Sequence, residues 1–369
     1  MNDRVTLEQR RQENCPTPIR RLGINPNLWY AIARSSEIGS RPVGRELWHQ
    51  PIVLFRTSDG RLGALEDRCV HRFVRLSHGR LIDGGKESWL ECAYHGWRFD
   101  TSGRCVHIPH LAEKPVLPNC AVRAFPVLEK YGFVWIYPGE PSRAQEVAPT
   151  AMTEWDDPNE IRSVARLSCR AHFSYLIENL MDMYHGKLHA EHQVWTANEL
   201  TKVEQSDRQV SATYNATTFY RVTSLSSILQ LILPALRKPH AAPLTVTYDY
   251  PNWCSALGED FKIYCLITPV HERLTEAYLI HYTSLSKFSA LTGAPMAVRL
   301  KVKSLLNNCA KRLLDHLVRE DVVMVEEEQA AFDNKPERQP FEVNRTLLRV
   351  QDLIRRQETA AQPDGQDRP

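Results

Sequence analysis

Long apolar runs are missing from this 369-residue sequence. No stretch approaches the ~18 consecutive apolar residues that a membrane-spanning helix needs. The opening segment, MNDRVTLEQRRQEN, has no apolar core and does not read as a secretory leader. An excess of charge of one sign is missing too. With 46 Lys and Arg against 44 Asp and Glu, the net charge is +2, and nothing in it favours a nucleic-acid partner. There is no strand–GxGxxG–helix unit, so the chain has no dinucleotide site of its own. No internal repeat is visible. Nine cysteines are present, but none stands in a C-x-x-C pair. Two belong to the motif described next. Cys15, Cys105, Cys120, Cys169, Cys254, Cys265 and Cys309 remain, an odd set without a leader, which fits buried free thiols in a reducing cytoplasm better than a disulfide framework.

What is present is more specific. The hydrophobic content of 43% and charged content of 24% are those of a globular protein. Cys69-Val-His71 is followed, after twenty residues, by Cys92-Ala-Tyr-His95. Two cysteines and two histidines paired as C-x-H and C-x-x-H suit a two-iron cluster with unlike ends, one iron on two thiolates and the other on two imidazoles. Zinc sites more often show C-x-x-C or H-x-x-x-H blocks. The flanking segments, CVHRFVRLSHGRLIDGG and CAYHGWRFDTSGRCVHIP, resemble the two cluster-binding loops of a Rieske iron–sulfur domain, with Trp97 and the Phe99-Asp100 pair at matching positions.

The chain divides on composition. Residues 1–27 are expected to be a polar arm, 28–140 the cluster domain, 141–355 a second domain and 356–369 a disordered tail. Short β-like runs fall at Pro51–Thr57, Leu62–Glu66, Ser88–Tyr94 and Tyr131–Tyr137, and the break Gly139-Glu-Pro-Ser follows. In the second part, Ala171–Trp195 reads as a helix. Ser211–Thr223, Leu244–Tyr250, Lys262–Val270 and Ala277–Leu285 read as strands, and Val298–Phe332 as a long helix. Strands with a long helix late predict an antiparallel sheet wrapped on a helix, an α+β domain. Leu225–Leu236 is a short apolar insertion, a core helix or a lid.

Glu178-Asn179-Leu-Met-Asp182-Met-Tyr-His185-Gly-Lys-Leu-His189 is the second constellation. On a helix, residues 182, 185 and 189 share one face. His185 and His189 lie one turn apart, about 6 Å along the axis, close enough to share one ion, whereas His192 lies about 10.5 Å from His185. His189 is therefore taken as the second ligand. Two histidines and a carboxylate form the facial triad of non-haem Fe(II) oxygenases, with open positions for dioxygen.

A Rieske motif upstream of this pattern resembles the catalytic subunits of the Rieske non-haem iron oxygenases. Asn179, Asp182 and His185 match the family's N-x-x-D-x-x-H; three residues rather than the commoner four separate the histidines. The resemblance implies Asp321 as the triad's carboxylate, with Glu320 as competitor. It implies a mostly-β Rieske domain followed by a helix-grip catalytic domain, one [2Fe–2S] cluster, one mononuclear Fe(II), and dioxygen as co-substrate. It further implies NAD(P)H electrons arriving through a separate reductase, directly or through a ferredoxin. Asp182 would link the mononuclear site to His71 or His95 of a neighbouring subunit in a homotrimer. The expected reaction is oxidation, most simply hydroxylation, of a small hydrophobic cyclic molecule. Demethylation, desaturation, cyclisation and dihydroxylation lie within the same family's range. A Rieske electron carrier is the contrasting reading, and it would have no use for Asp182, His185, His189 or Asp321.

Overall fold

The structure is a computed structural model, and it describes residues 18–83, 88–111, 119–191, 193–220, 239–258, 261–284, 293–338 and 340–360. The first strands are β1 (Tyr30–Arg34), β2 (Val43–Leu47), β3 (Gln50–Arg56), β4 (Leu62–Glu66), β5 (Arg80–Asp83), β6 (Ser88–Glu91), β7 (Arg98–Phe99), β8 (Cys105–His107), β9 (Val127–Lys130) and β10 (Phe133–Ile136). They form three small antiparallel sheets, ordered β1-β10-β9, β2-β3-β4 and β5-β6-β7-β8. Val53, Phe55, Leu65, Leu76, Leu90, Phe99 and Val122 pack into one core, and Cys69 and Cys92 sit inside it.

The second part begins with β11 (Glu160–Cys169), α1 (Phe173–Met181), β12 (Gln193–Gln205), β13 (Gln209–Tyr220), β14 (His240–Asp249), β15 (Asn252–Leu257), β16 (Phe261–His271) and β17 (Leu274–Ser284). Helices α2 (Met296–Asn334) and α3 (Arg345–Ala360) follow. The strands build one antiparallel sheet in the order β11-β17-β16-β15-β14-β13-β12. The strictly alternating burial along β11, with Ile161, Ser163, Ala165, Leu167 and Cys169 inward, is the period-2 signature of a covered face. Leu176, Ile177 and Met181 of α1, Val325 of α2, and Val350, Leu353 and Ile354 of α3 cover that face. On the opposite face, Ala31, Phe133 and Trp135 of β1 and β10 pack against Tyr264, Leu266, Tyr278 and Ile280. This is the expected α+β arrangement of sheet on long helix.

A second contact joins the two parts. The β2–β3 hairpin turns through Trp48 and His49, both at positive φ (44° and 63°), where glycine or asparagine is usual. The strained turn is held from outside. Trp48 N and His49 N donate to the carbonyls of Pro269 and Val270, and the indole meets His172 and Phe173 edge-on.

Several expectations change. The predicted helix over Ala171–Trp195 stops at Met181, and residues from 193 onward form β12 instead. The strands β11, β12 and β15 were not foreseen. The polar arm is not an arm over residues 18–27, because Ile19, Leu22 and Ile24 are buried in the main core and Arg20 pairs with Glu178. Its Nη1 donates to Ser174 Oγ at 2.6 Å, and its guanidinium lies 3.6 Å from the Tyr175 ring centre. The tail begins later than predicted: α3 continues to Ala360, with Gln357 buried and bonded to Asn25 and to the Asp207 carbonyl. Residues 1–17, the 225–236 insertion and residues 361–369 lie outside the described residues.

His172 caps α1, its Nδ1 accepting from Ser174 N while Nε2–H donates to the Leu22 carbonyl at 3.0 Å. Burial lowers its pKa from 6.5 to about 4, and burial does the same to His281. Both are neutral in the fold, and their folded values lie below the unfolded one. Their stabilising contribution is therefore full above pH 6.5, declines as the pH falls, and is lost once it passes about 4. At ~1.4 kcal/mol per pKa unit, each is worth about 3 kcal/mol across that window. His172→Asn keeps a capping oxygen without the titration. Thermal midpoints measured from pH 7 to 4.5 should fall steeply for the parent and less steeply for this variant; equal slopes would exclude His172 as a source.

Candidate metal centres

The two cluster loops are built alike. In the first, Cys69 N donates to the Val74 carbonyl and Phe73 N to the Cys69 carbonyl; in the second, Cys92 N donates to Trp97 and Gly96 N to Cys92. The fourth residue after each cysteine takes a left-handed backbone, Phe73 at φ 54° and Gly96 at φ 70°. Glycine adopts this freely, whereas phenylalanine does so at a cost of about 1 kcal/mol. The sulfurs face the core and the imidazoles the surface. Cys69 and Cys92 are buried, His71 and His95 are half-buried with ring centres 4.5 Å apart, and Phe73 and Tyr94 beside them are exposed. Trp97 stacks on His71 at 4.9 Å.

Burial pushes the Cys69 thiol up to about 11; the backbone N–H groups of His71 and Arg72 pull it down, and the neighbouring Cys92 adds to the rise. Two buried thiols pressed together, unbridged, with amides aimed at sulfur, fit thiolates that bind a shared cationic group. The residues present thus fit a [2Fe–2S] cluster with histidines outward.

The second centre begins where α1 ends. Asp182 leaves the helix with extended backbone (φ −91°, ψ 104°), and its Oδ1 accepts from Tyr184 N at 3.0 Å, opening a 3₁₀ turn over Met183–Lys187. A short acidic side chain that bonds the backbone two residues on is a standard helix competitor. Asn198 of β12 donates to the Met183 carbonyl and ties this turn to the sheet. From the far side, Asn344 Nδ2 donates to Asp182 Oδ1 at 3.1 Å, while Asn344 Oδ1 caps α3 by accepting from Thr346 N. His185 is carried by the 3₁₀ turn and His189 by the turn after it, not by one helix face as the sequence predicted. Their rings still meet, centres 5.3 Å apart and nearly perpendicular.

Asp321 comes to them from α2. Its Oδ1 lies 3.1 Å from His189 Nε2, 3.6 Å from His185 Nε2 and 3.4 Å from Asn179 Nδ2. One donor atom from each of His185, His189 and Asp321 lies within 4.8 Å of the others. Glu320, the alternative carboxylate, bonds the other nitrogen of His189, with Oε2 2.9 Å from Nδ1. Burial alone would lower the His189 pKa; the hydrogen bond and charge of Asp321, then of Glu320, outweigh it and raise the value. His185 Nδ1 is buried without a hydrogen-bond partner among the described residues. Two imidazole nitrogens and a carboxylate oxygen aimed at one point are a donor set for a cation, and two neutral histidines with one carboxylate suit Fe(II). His192, the competing histidine, lies outside the described residues. Glu326, further along α2, pairs with the exposed Arg170. Sequence reasoning missed Asn344 and Asn198, whose relevance comes only from long-range contacts.

The Rieske [2Fe-2S] domain profile matches residues 28–126. Over 353 residues the chain is 30% identical to 4beta-methylsterol monooxygenase of Methylococcus capsulatus, covering 94% of this chain and 90% of that protein. The chain belongs to the Rieske non-haem iron oxygenases. A shorter match, 38% identical over 167 residues, joins this oxygenase to the oxygenase component of dicamba O-demethylase from Stenotrophomonas maltophilia, covering 44% of this chain and 46% of that one. Its fold is shared with crystalline dicamba monooxygenase bound to 3,6-dichlorosalicylic acid, with a TM-score of 0.73, 24% identity, and coverage of 92% and 98% of the two chains. As a terminal oxygenase of this family it is an oxidoreductase carrying a Rieske [2Fe–2S] cluster and a mononuclear iron, and relatives such as the dicamba O-demethylase protein are named as oxygenase components. No described helix is long and apolar enough to cross a membrane.

Proposed function

We propose that this oxygenase hydroxylates a small hydrophobic, cyclic molecule, with Cys69, His71, Cys92 and His95 holding the cluster and His185, His189 and Asp321 holding Fe(II). The observation that carries the ligand set is the convergence of both Nε2 atoms on Asp321 Oδ1. Relatives named for a methylsterol, for dicamba and for toluene-4-sulfonate support a cyclic substrate. Electrons come from a separate NAD(P)H-dependent reductase, directly or through a ferredoxin, and the chain works in the cytoplasm as a homotrimer. The division between its two parts falls near residue 140.

The metal centres supply electron storage and dioxygen activation when bound; the protein supplies placement. Hydroxylation inserts one oxygen atom of dioxygen into a C–H bond and releases the other as water, consuming two electrons and two protons. Asp321 and the two imidazoles would hold the metal by three donor atoms, leaving its remaining coordination positions for dioxygen. Asn179, donating to Asp321, fixes the carboxylate's rotation. Asp182, pinned by Asn344, faces the neighbouring subunit and accepts a ring N–H from its cluster histidine. The exposed rings of Phe73 and Tyr94 rim that histidine pair.

Metal analysis with oxygen uptake tests this reading. The purified protein should hold one iron beyond those of its cluster, show a rhombic EPR signal on reduction, and consume dioxygen with a reductase and a cyclic substrate. A cluster-only iron content would leave an electron carrier.

A further inference from the structure

We infer that Glu320 is a positioning residue for the mononuclear iron, holding His189 through Nδ1 so that Nε2 is presented to the metal. This inference rests on the ligand set proposed above. Glu320 and Asp321 are neighbours on α2, so their side chains leave the helix about 100° apart. That divergence lets the pair embrace one imidazole from both sides. Asp321 Oδ1 is 3.1 Å from Nε2, and Glu320 Oε2 is 2.9 Å from Nδ1. A neutral histidine has one N–H and one lone pair. If Nε2 gives its lone pair to a metal, the N–H must be at Nδ1, and Glu320 is the acceptor that selects this tautomer and fixes the ring's rotation. A carboxylate behind an imidazole also makes it a stronger donor.

The other histidine shows what is special here. His185 Nδ1 is buried and has no such acceptor among the described residues. Among the described residues, the site therefore has one imidazole anchored at Nδ1 by a carboxylate and one without such an anchor. Glu320 is not placed as a ligand, because its carboxylate meets the nitrogen on the far side of the ring from Asp321. Its side chain is 23% exposed on a helix surface, where alanine is an excellent helix former.

The test is the rate at which a ferrous chelator strips the mononuclear iron from purified holoenzyme, with the Rieske visible spectrum followed in the same cuvette. Glu320→Ala should release iron about 10–100-fold faster with the cluster spectrum unchanged. Glu320→Gln should fall between it and the parent, since its Oε1 still accepts from Nδ1–H. Asp321→Ala and His185→Ala serve as references and should lack mononuclear iron. If Glu320→Ala releases iron at the parent rate while Asp321→Ala holds none, the positioning role is overturned and the ligand set stands. If Asp321→Ala keeps its iron and Glu320→Gln holds none, Glu320 is itself the ligand and both readings fall.

Discussion

Asp182→Ala should leave both metal centres loaded and stop electrons passing between them. The residue follows the last turn of α1, and its Oδ1 is already engaged by Tyr184 N and Asn344. In the proposed trimer its second oxygen, Oδ2, would be the acceptor for a neighbouring subunit's cluster histidine. Mixed with dioxygen and substrate, a pre-reduced variant should reoxidise its cluster about a hundredfold more slowly than the parent, with iron content unchanged. Asp182→Asn separates two causes, since it retains an oxygen for Tyr184 N but loses the charge. If it also stalls, the charge matters and not only the turn. On the proposed trimer, assembling Asp182→Ala chains with Cys69→Ser chains should restore part of the activity, because some interfaces would recover an intact cluster opposite an intact aspartate. Normal turnover in Asp182→Ala would remove this route.

The second large effect is expected at the proposed iron ligands. His189→Ala and Asp321→Ala should each reduce turnover to background and eliminate the mononuclear iron, while the cluster keeps its spectrum. The separation follows from the fold. The cluster cysteines sit in their own core with Phe55, Leu76 and Phe99, whereas His189 and Asp321 are carried by a turn and a helix of the second part. His192→Ala is the informative control. Iron retained in His189→Ala but lost from His192→Ala would move the second ligand three residues along the chain.

How much of this was legible beforehand depended on range in sequence. The cluster loops could be read because each is closed by its own backbone within five residues, so local spacing carries the whole signal. The helix bearing Asp321 was readable from its periodic apolar positions, Val318, Val322, Val325 and Phe332, which face the core. The break at Asp182 was not. Apolar periodicity continues past it, and what ends the helix is a side-chain bond stabilised by Asn344, 162 residues away. The strand β12 was hidden by the same error, since the residues after His189 were absorbed into a helix that had already stopped. Residues 18–27 misled through composition. Arg20 and Arg21 read as solvated charge, yet Arg20 has a buried acidic partner that no local pattern announces.

That last segment bears on how such enzymes can be recombined. Residues 18–27 come before the cluster-bearing part in the chain and are bonded to it through the Tyr30 and Tyr137 hydroxyls, but their charged and amide anchors are in the other one: Glu178 and Ser174 on α1, Tyr250 in the β14–β15 turn, and Gln357 on α3. A chimera that grafts a foreign electron-transfer module onto this oxygenase from the first residue onward would import a stranger's segment into the recipient's interior. It would strand the Glu178 carboxylate without its guanidinium, a loss on the order of 3–5 kcal/mol for a buried pair. A graft joined after Asn27 keeps the native plug with the half it stabilises. The natural seam for exchanging redox modules is therefore internal, and the recipient must supply its own beginning.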